Sequence, residues 1–282
     1  NFDVSKNNIE VPIYDKVYTP DTIKNRIYQY LISSSEQFLN LSDHKPVIDS
    51  ENKYLSWNVL HQSSFQEGIG FNIPPDNNLI VVTEKGQKIN LLEYRSNLII
   101  DYLISIIDNF NFIALQECEY VIFKKLNNIE KIKSEFEITY SPSNIIKYKD
   151  NDISIPSSFG NCILVRKKKD QIYSSDFGIY SDEKSVDIID KFSGIKFNYV
   201  IEEDSGSGTK IIYASCHLQK KDIKYFSDDF NKIIDIIRPN EIVLAGDFNT
   251  LASDFNFKTS IEDINLKYLT SVTSQGIDHI VK

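Results

Sequence analysis

Short apolar runs alternate along this chain with longer stretches of helical periodicity. Ile242-Val243-Leu244-Ala245 is an unbroken apolar run, of the kind that fills a strand covered on both faces. Comparable runs predict strands over residues 54–60, 112–115 and 159–165. Residues 192–202 and 210–218 read as a hairpin around Ser205-Gly206-Ser207-Gly208. A long helix is predicted over residues 91–110, with Ile99, Tyr102, Leu103, Ile106, Ile107 and Phe110 as its apolar face. A second helical stretch covers 120–132. A third carries Phe226, Phe230, Ile233, Ile234 and Ile237 and stops at Pro239. Nearer the start, Val11, Ile13 and Val17 alternate as an extended lead-in. Thr19-Pro20-Asp21 then opens a helix with the stripe Ile23, Ile27, Tyr30, Leu31, Phe38. Residues 141–158, rich in Ser, Asn, Pro and Asp, read as a long surface loop. Strands separated by long helices, with hairpins added, predict mixed sheets covered by helices. No repeat, linker or low-complexity tract divides residues 1–282, so one domain is expected.

Composition narrows the class. The chain is 41% hydrophobic and 25% charged over 282 residues, an ordinary globular balance. No apolar run approaches the ~20 residues of a membrane span. No signal-peptide pattern opens the chain, and it contains no methionine. The compartment is not legible, and a monomer is expected. Cys118, Cys162 and Cys216 follow neither a disulfide framework nor a zinc spacing and read as small buried residues. A net charge of −9 gives no broad basic face for duplex binding. The local basic runs, Arg166-Lys167-Lys168-Lys169 and Lys220-Lys221, read as solvated loops.

The chemistry is concentrated where strands end. In Gly246-Asp247-Phe248-Asn249 the backbone turns after an apolar strand and delivers a carboxylate and an amide two residues apart, which point the same way in an extended chain. The same sequence also suits an ordinary Asx turn. Four other stretches complete a pattern: Leu55-Ser56-Trp57-Asn58-Val59-Leu60, Ile113-Ala114-Leu115-Gln116-Glu117, Ala214-Ser215-Cys216-His217-Leu218 and Gly276-Ile277-Asp278-His279-Ile280. In this order the five resemble the motifs of the DNase I-like endonuclease/exonuclease/phosphatase superfamily, from about Tyr54 to the end of the chain. Ser42-Asp43-His44-Lys45-Pro46-Val47 resembles a string that lies near the C-terminus in that superfamily, but here it precedes the first motif. Chance would produce such a string in fewer than about one chain in a thousand. A circular permutation is therefore expected, with a truncated chain as its rival.

The resemblance implies an α/β (α+β) fold: a four-layer α-β-β-α sandwich of two stacked mixed sheets flanked by helices. It implies a Mg2+ ion, or Mn2+ in its place, with Glu117 as chief ligand and Asn58 beside it. Asp247 would orient and deprotonate a water, Asn249 and His217 would contact phosphate, and His44 would be held by Asp278, with Asp43 either supporting the site from behind or only bracing the turn. A strand sends neighbouring side chains to opposite faces, so His279 is expected outside the site. The implied reaction is phosphodiester hydrolysis on single-stranded or terminal nucleic acid, with Trp57 and the tyrosines as candidates for base stacking. Two alternatives stand beside it. One is hydrolysis of a phospholipid, sphingolipid or phosphoinositide, for which His217-Leu218-Gln219 is compatible with sphingomyelinase-like members while the Trp-Cys-Asp-Arg element of inositol polyphosphate phosphatases is missing. The other is a binding protein that keeps the fold without catalysis.

Overall fold

The computed structural model describes residues 8–10, 42, 44, 46–61, 80–82, 88–148, 154–183, 189–218, 223–250, 272–275 and 278–282. In chain order the elements are β1 (Asn8–Glu10), β2 (Val47–Asp49), β3 (Tyr54–Asn58), β4 (Ile80–Val82), β5 (Lys88–Asn90), α1 (Leu91–Ile106), β6 (Phe112–Glu119), α2 (Tyr120–Asn127) and α3 (Glu130–Glu135). They continue as β7 (Phe136–Pro142), β8 (Asn144–Tyr148), β9 (Ser154–Pro156), β10 (Phe159–Arg166), β11 (Gln171–Glu183), β12 (Ile189–Asp204), β13 (Lys210–His217), α4 (Ile223–Ile237), β14 (Glu241–Asp247), β15 (Val272–Gln275) and β16 (Asp278–Val281). The chain divides into two compact units, residues 1–45 with 59–108, and residues 46–58 with 109–282.

In the first unit β1, β4 and β5 form a small antiparallel sheet in that order. Helix α1 follows β5 without a break and buries Leu98, Ile99, Ile100 and Leu103. It ends four residues short of the predicted limit, in a 3-10 turn over Ile107–Asn109. Arg95, itself buried, donates to the Val59 carbonyl. The helix expected to start at Thr19 lies outside the described residues.

The second unit is built on two sheets. One has the order β2-β3-β6-β10-β7, with β3 and β6 parallel and the other pairs antiparallel. The other runs β15-β16-β14-β13-β12-β8-β9, with β11 paired on β12 and β13 parallel to β14. Period-two alternation turns Tyr54, Phe112, Ala114, Ile163 and Val165 of the first sheet onto Val200, Tyr213, Val243, Ala245 and Ile280 of the second, and these residues form one core cluster. The far face of the larger sheet packs Phe197, Ile212 and Leu244 against Phe226, Phe230 and Ile234 of α4. Beyond the smaller sheet, α2 and α3 bury Ile122, Leu126 and Ile132, and Phe123 stacks on Tyr140 of β7. The layers are therefore α-β-β-α, as expected.

Three local expectations change. The helical stretch 120–132 is two helices, because the chain is already extended at Ile129. The region 141–158 is not a continuous loop: β8 and β9 lie in it, and Ile145 and Ile146 pair with Ser193 and Phe192 of β12. Its Ser/Asn/Pro bias hid a short β-branched run that becomes a strand only because β12 is long enough to receive it. Strand β11, for which no expectation was formed, pairs with β12 from Gln171↔Asp204 to Glu183↔Phe192. It leaves Ile172 60% exposed, so it has little apolar periodicity to read. The β12–β13 hairpin forms where predicted. In its turn Asp204 accepts from the Ser207 amide at 2.7 Å, the Ser207 hydroxyl at 2.9 Å and Gln171 Nε2 at 2.8 Å, and these bonds hold the carboxyl down at about 2.

Gly246 is required by proximity. It pairs with Cys216 in the parallel ladder, and a Cβ there would fall on the Cys216 carbonyl oxygen and lie 2.7 Å from Cys216 Sγ. Gly246→Ala should lower the unfolding free energy by about 1–3 kcal/mol, the range for overpacking a closed core. A urea titration checks this, and an unchanged midpoint would show that the two strands do not approach so closely.

Candidate active site

The face between the two sheets changes character along its strands. In β3 the inward residues run Tyr54, Ser56, Asn58; in β6, Phe112, Ala114, Gln116; in β13, Tyr213, Ser215, His217; in β14, Val243, Ala245, Asp247. Antiparallel β16 runs the other way, Ile280 then Asp278, and places Asp278 opposite Asp247. The row that is aromatic or aliphatic at one end is thus polar at the other. His217 and Asp247 are also register partners in the parallel ladder. Side chains far apart in sequence therefore meet where the strands bearing them run out.

The meeting is tight. Asn58 Nδ2 donates to Glu117 Oε1 at 3.2 Å and to Asp247 Oδ2 at 2.9 Å. His217 Nε2 lies 3.5 Å from the same Glu117 oxygen and 3.8 Å from the same Asp247 oxygen. Ligand atoms of Glu117, His217 and Asp247 all fall within 4.8 Å of one another. The side chains of Asp247 and Glu117 are 2% and 12% exposed, and Asp278 is buried beside them. Drawing carboxylates together out of water carries a large desolvation cost, which a divalent cation offsets. Carboxylate oxygens and an imidazole nitrogen that converge in this way are a donor set able to hold a divalent metal ion.

The backbone is bent to achieve this. Between β6 and β10 the register shifts: Leu115 faces Cys162 and Cys118 faces Gly160. Gln116 and Glu117 therefore stand opposite the single residue Asn161, a β-bulge, the device that re-aims a side chain at a strand end. Glu117 has φ 51°, a left-handed conformation that a non-glycine residue adopts only where its surroundings hold it. Asn249 has φ 52°, which asparagine tolerates better. Its amide donates to Asp247 Oδ1 at 2.8 Å and its Nδ2 to the Leu218 carbonyl at 2.9 Å. Asp247 is thus held through both oxygens, one by Asn58 and one by the turn that follows it.

Of the residues singled out from the sequence, Asn58, Glu117, His217, Asp247, Asn249 and Asp278 lie in the second unit at this strand end. His44 belongs to the first unit, where its amide donates to Ser42 Oγ at 3.0 Å. Asp43 lies outside the described residues, as do Lys220 and Lys221. His279 is turned away from Asp278, packs on Phe248 and binds the Thr250 carbonyl through Nε2 at 2.8 Å. Trp57 is fully buried, so the base-stacking role expected for it falls away. The three cysteines are free and buried; burial pushes the thiols of Cys118 and Cys216 up, which keeps them protonated. Sequence reasoning assigned no role to a layer of buried polar side chains below the site: Ser56, Gln116, Asn161, Asn198 and Ser215. The available signal was a polar residue at an inward position of an otherwise apolar strand.

Comparison with known proteins was made on sequence and on structure. No protein-family model matches the chain, and no curated protein matches it. The solved structures whose fold it resembles include several endonuclease/exonuclease/phosphatase proteins. One, from Bacteroides vulgatus, is 11% identical, with a TM-score of 0.49 over 84% of this chain and 87% of that one. The catalytic domain of human Nocturnin, solved with a bound sulfate anion, is 12% identical with a TM-score of 0.46, over 84% of this chain and 82% of that one. A mannosyl-6-phosphatase from Bacteroides thetaiotaomicron is 14% identical with a TM-score of 0.41, over 81% and 84%.

Burial lowers the pKa of His279 below its ordinary 6.5. The Thr250 carbonyl can only accept, so Nε2 carries the proton and the folded protein holds the ring neutral. Its contribution to stability is complete above the unfolded-state pKa and is lost as pH falls through and below it. Between pH 7 and 5 the wild type should lose unfolding free energy by at most about 1.4 kcal/mol per pH unit from this group. His279→Gln should show a shallower slope. Parallel slopes in denaturant titrations at several pH values would refute the assignment.

Proposed function

We propose that the chain is a Mg2+-dependent phosphodiesterase whose substrate is nucleic acid, attacked in single strands or at ends. The observation that carries this reading is the convergence of Glu117, Asp247, His217 and Asn58 on one point at the strand ends. The motif resemblance supplies the substrate class. Glu117 would hold the ion, with Asn58 fixing the orientation of its carboxylate. When bound, the ion supplies positive charge to phosphate oxygens and keeps several of its own waters.

The chain's own groups do the remaining work. Asp247 is buried and held at both oxygens. It accepts the proton of an attacking water and aligns that water for in-line attack. Asn249 uses one Nδ2 hydrogen on the Leu218 carbonyl and offers the other to a phosphate oxygen. His217 donates from Nε2 where negative charge builds up, pre-organised by the β13–β14 register. By the motif resemblance, Asp278 would be the carboxylate that holds the His44 imidazole protonated against the leaving oxygen. A circular permutation would account for a motif that precedes the others in sequence, since breaks at surface termini leave a fold intact.

Asp247→Ala and His44→Ala should each lower turnover by ~10²-fold or more, the scale for losing a positioned acid–base or charge-stabilising group. Activity near wild type in either purified, folded variant would sink that residue's role. Chelation should abolish turnover, and added Mg2+ or Mn2+ should restore it. A panel of single-stranded RNA, single-stranded DNA, sphingomyelin and phosphoinositide tests the substrate class. Cleavage of nucleic acid alone is expected; cleavage of a lipid alone would reassign the substrate, and no cleavage of any would favour a binding protein.

A further inference from the structure

The bulge that aims Glu117 is gripped from the opposite sheet on both its sides. On the bulged strand, Gln116 Nε2 donates to Ser215 Oγ of β13 at 2.9 Å, while Gln116 Oε1 accepts from Ser56 Oγ at 3.3 Å. On the strand facing the bulge, the Asn161 carbonyl accepts from Asn198 Nδ2 of β12 at 3.4 Å. Ser215 and Asn198 are direct register partners on neighbouring strands. The four residues close a ring around the bulge, with Gln116 and Asn161 in one sheet and Ser215 and Asn198 in the other. All four are at most 2% exposed.

Stability alone gives no reason for this ring. Val200, two residues along β12 on the same face, fills its place in the inter-sheet core with an aliphatic side chain. Asn198 in the next place buries a carboxamide whose Oδ1 has no hydrogen-bond partner among the described residues. A buried, half-satisfied amide is worse for folding than an apolar residue of the same size. Its surviving bond goes to the one backbone carbonyl that stands opposite Gln116 and Glu117.

We infer that Asn198, acting with Ser215, is a positioning residue that sets the Gln116–Glu117 bulge and through it the affinity of the site for its divalent ion. The inference rests on Glu117 being the metal ligand, as proposed above. Asn198 touches neither ion nor substrate. It fixes the Asn161 backbone from across the interface, and Ser215 fixes Gln116, so the residue between them keeps its left-handed backbone and its carboxylate stays on Asp247 and His217. Partners that orient a ligand in this way typically carry 10–100-fold in metal affinity.

The test is Mn2+ binding to purified protein, read from the loss of the free-ion electron paramagnetic resonance signal, with no substrate present. Asn198→Leu should bind Mn2+ about 10–100-fold more weakly than wild type while melting no lower. Val200→Ala, which opens a cavity on the same face of the same strand, should melt lower and bind Mn2+ as wild type does. Wild-type affinity in Asn198→Leu overturns the inference, and so does equal weakening in Val200→Ala. If Asn198→Leu does not fold, Ser215→Ala carries the test with the same two outcomes. Glu117→Gln separates the levels: wild-type affinity there sinks the metal assignment itself, whereas wild-type affinity in Asn198→Leu alone sinks only the clamp.

Discussion

The site depends on one arrangement, a carboxamide wedged between a buried carboxylate, Asp247, and a half-buried one, Glu117. Asn58 Nδ2 donates to both Glu117 and Asp247. Without such a donor, two carboxylates held this close would repel each other. A neutral donor can hold them close without removing the negative charge that a cation needs, which a lysine or arginine at the same place would do. The arrangement thus fixes the geometry of the two carboxylates without neutralising them.

The sheet interface makes this arrangement attainable. Residues 54, 112, 213, 243 and 280 build a close-packed aromatic and aliphatic core, and the same strands become polar one or two pairs further on. Tyr54 and Tyr213 sit against Phe112 with ring centroids 5.8 and 5.2 Å away, a rigid floor of the kind that keeps strand ends in register. Close backbone approach at Gly246 brings β13 and β14 together so that His217 and Asp247 leave side by side. The bulge at Gln116–Glu117 then breaks regularity at the one strand where the side chain must turn toward its neighbours. Regular packing and one local irregularity are both needed. A continuous β6 would alternate Gln116 and Glu117 to opposite faces, with no means of bringing the acid to Asn58.

Much of this was legible because the relevant signals are local. The apolar run before Gly246, the stripe of Phe226, Phe230 and Ile234, and the hairpin around Gly206 are each set by a few adjacent residues, and each formed where its pattern placed it. The alternation rule also separated Asp278 from His279, which bind on opposite sides of β16. Legibility failed where a segment takes its form from a distant partner. Residues 144–148 and 171–183 are strands because β12 is long enough to pair with both, and neither carries a strong pattern of its own. Trp57 looked available for stacking by composition, yet its place in β3 turns it into the core.

By itself the sequence determined where most of the strands and helices of the second unit lie and the residue types at each strand end, because periodicity, glycine placement and apolar runs act over a few residues; the four-layer class was implied by the motif resemblance. Only the tertiary structure decided that Asn58 spans two acids and that Glu117 sits on a bulge. It also showed a buried polar ring drawn from β6, β10, β12 and β13 beneath them. Those features follow from register between strands that are remote in the chain. A one-residue shift in register would exchange every inward side chain for an outward one, and no local pattern reports which register the packed sheets select.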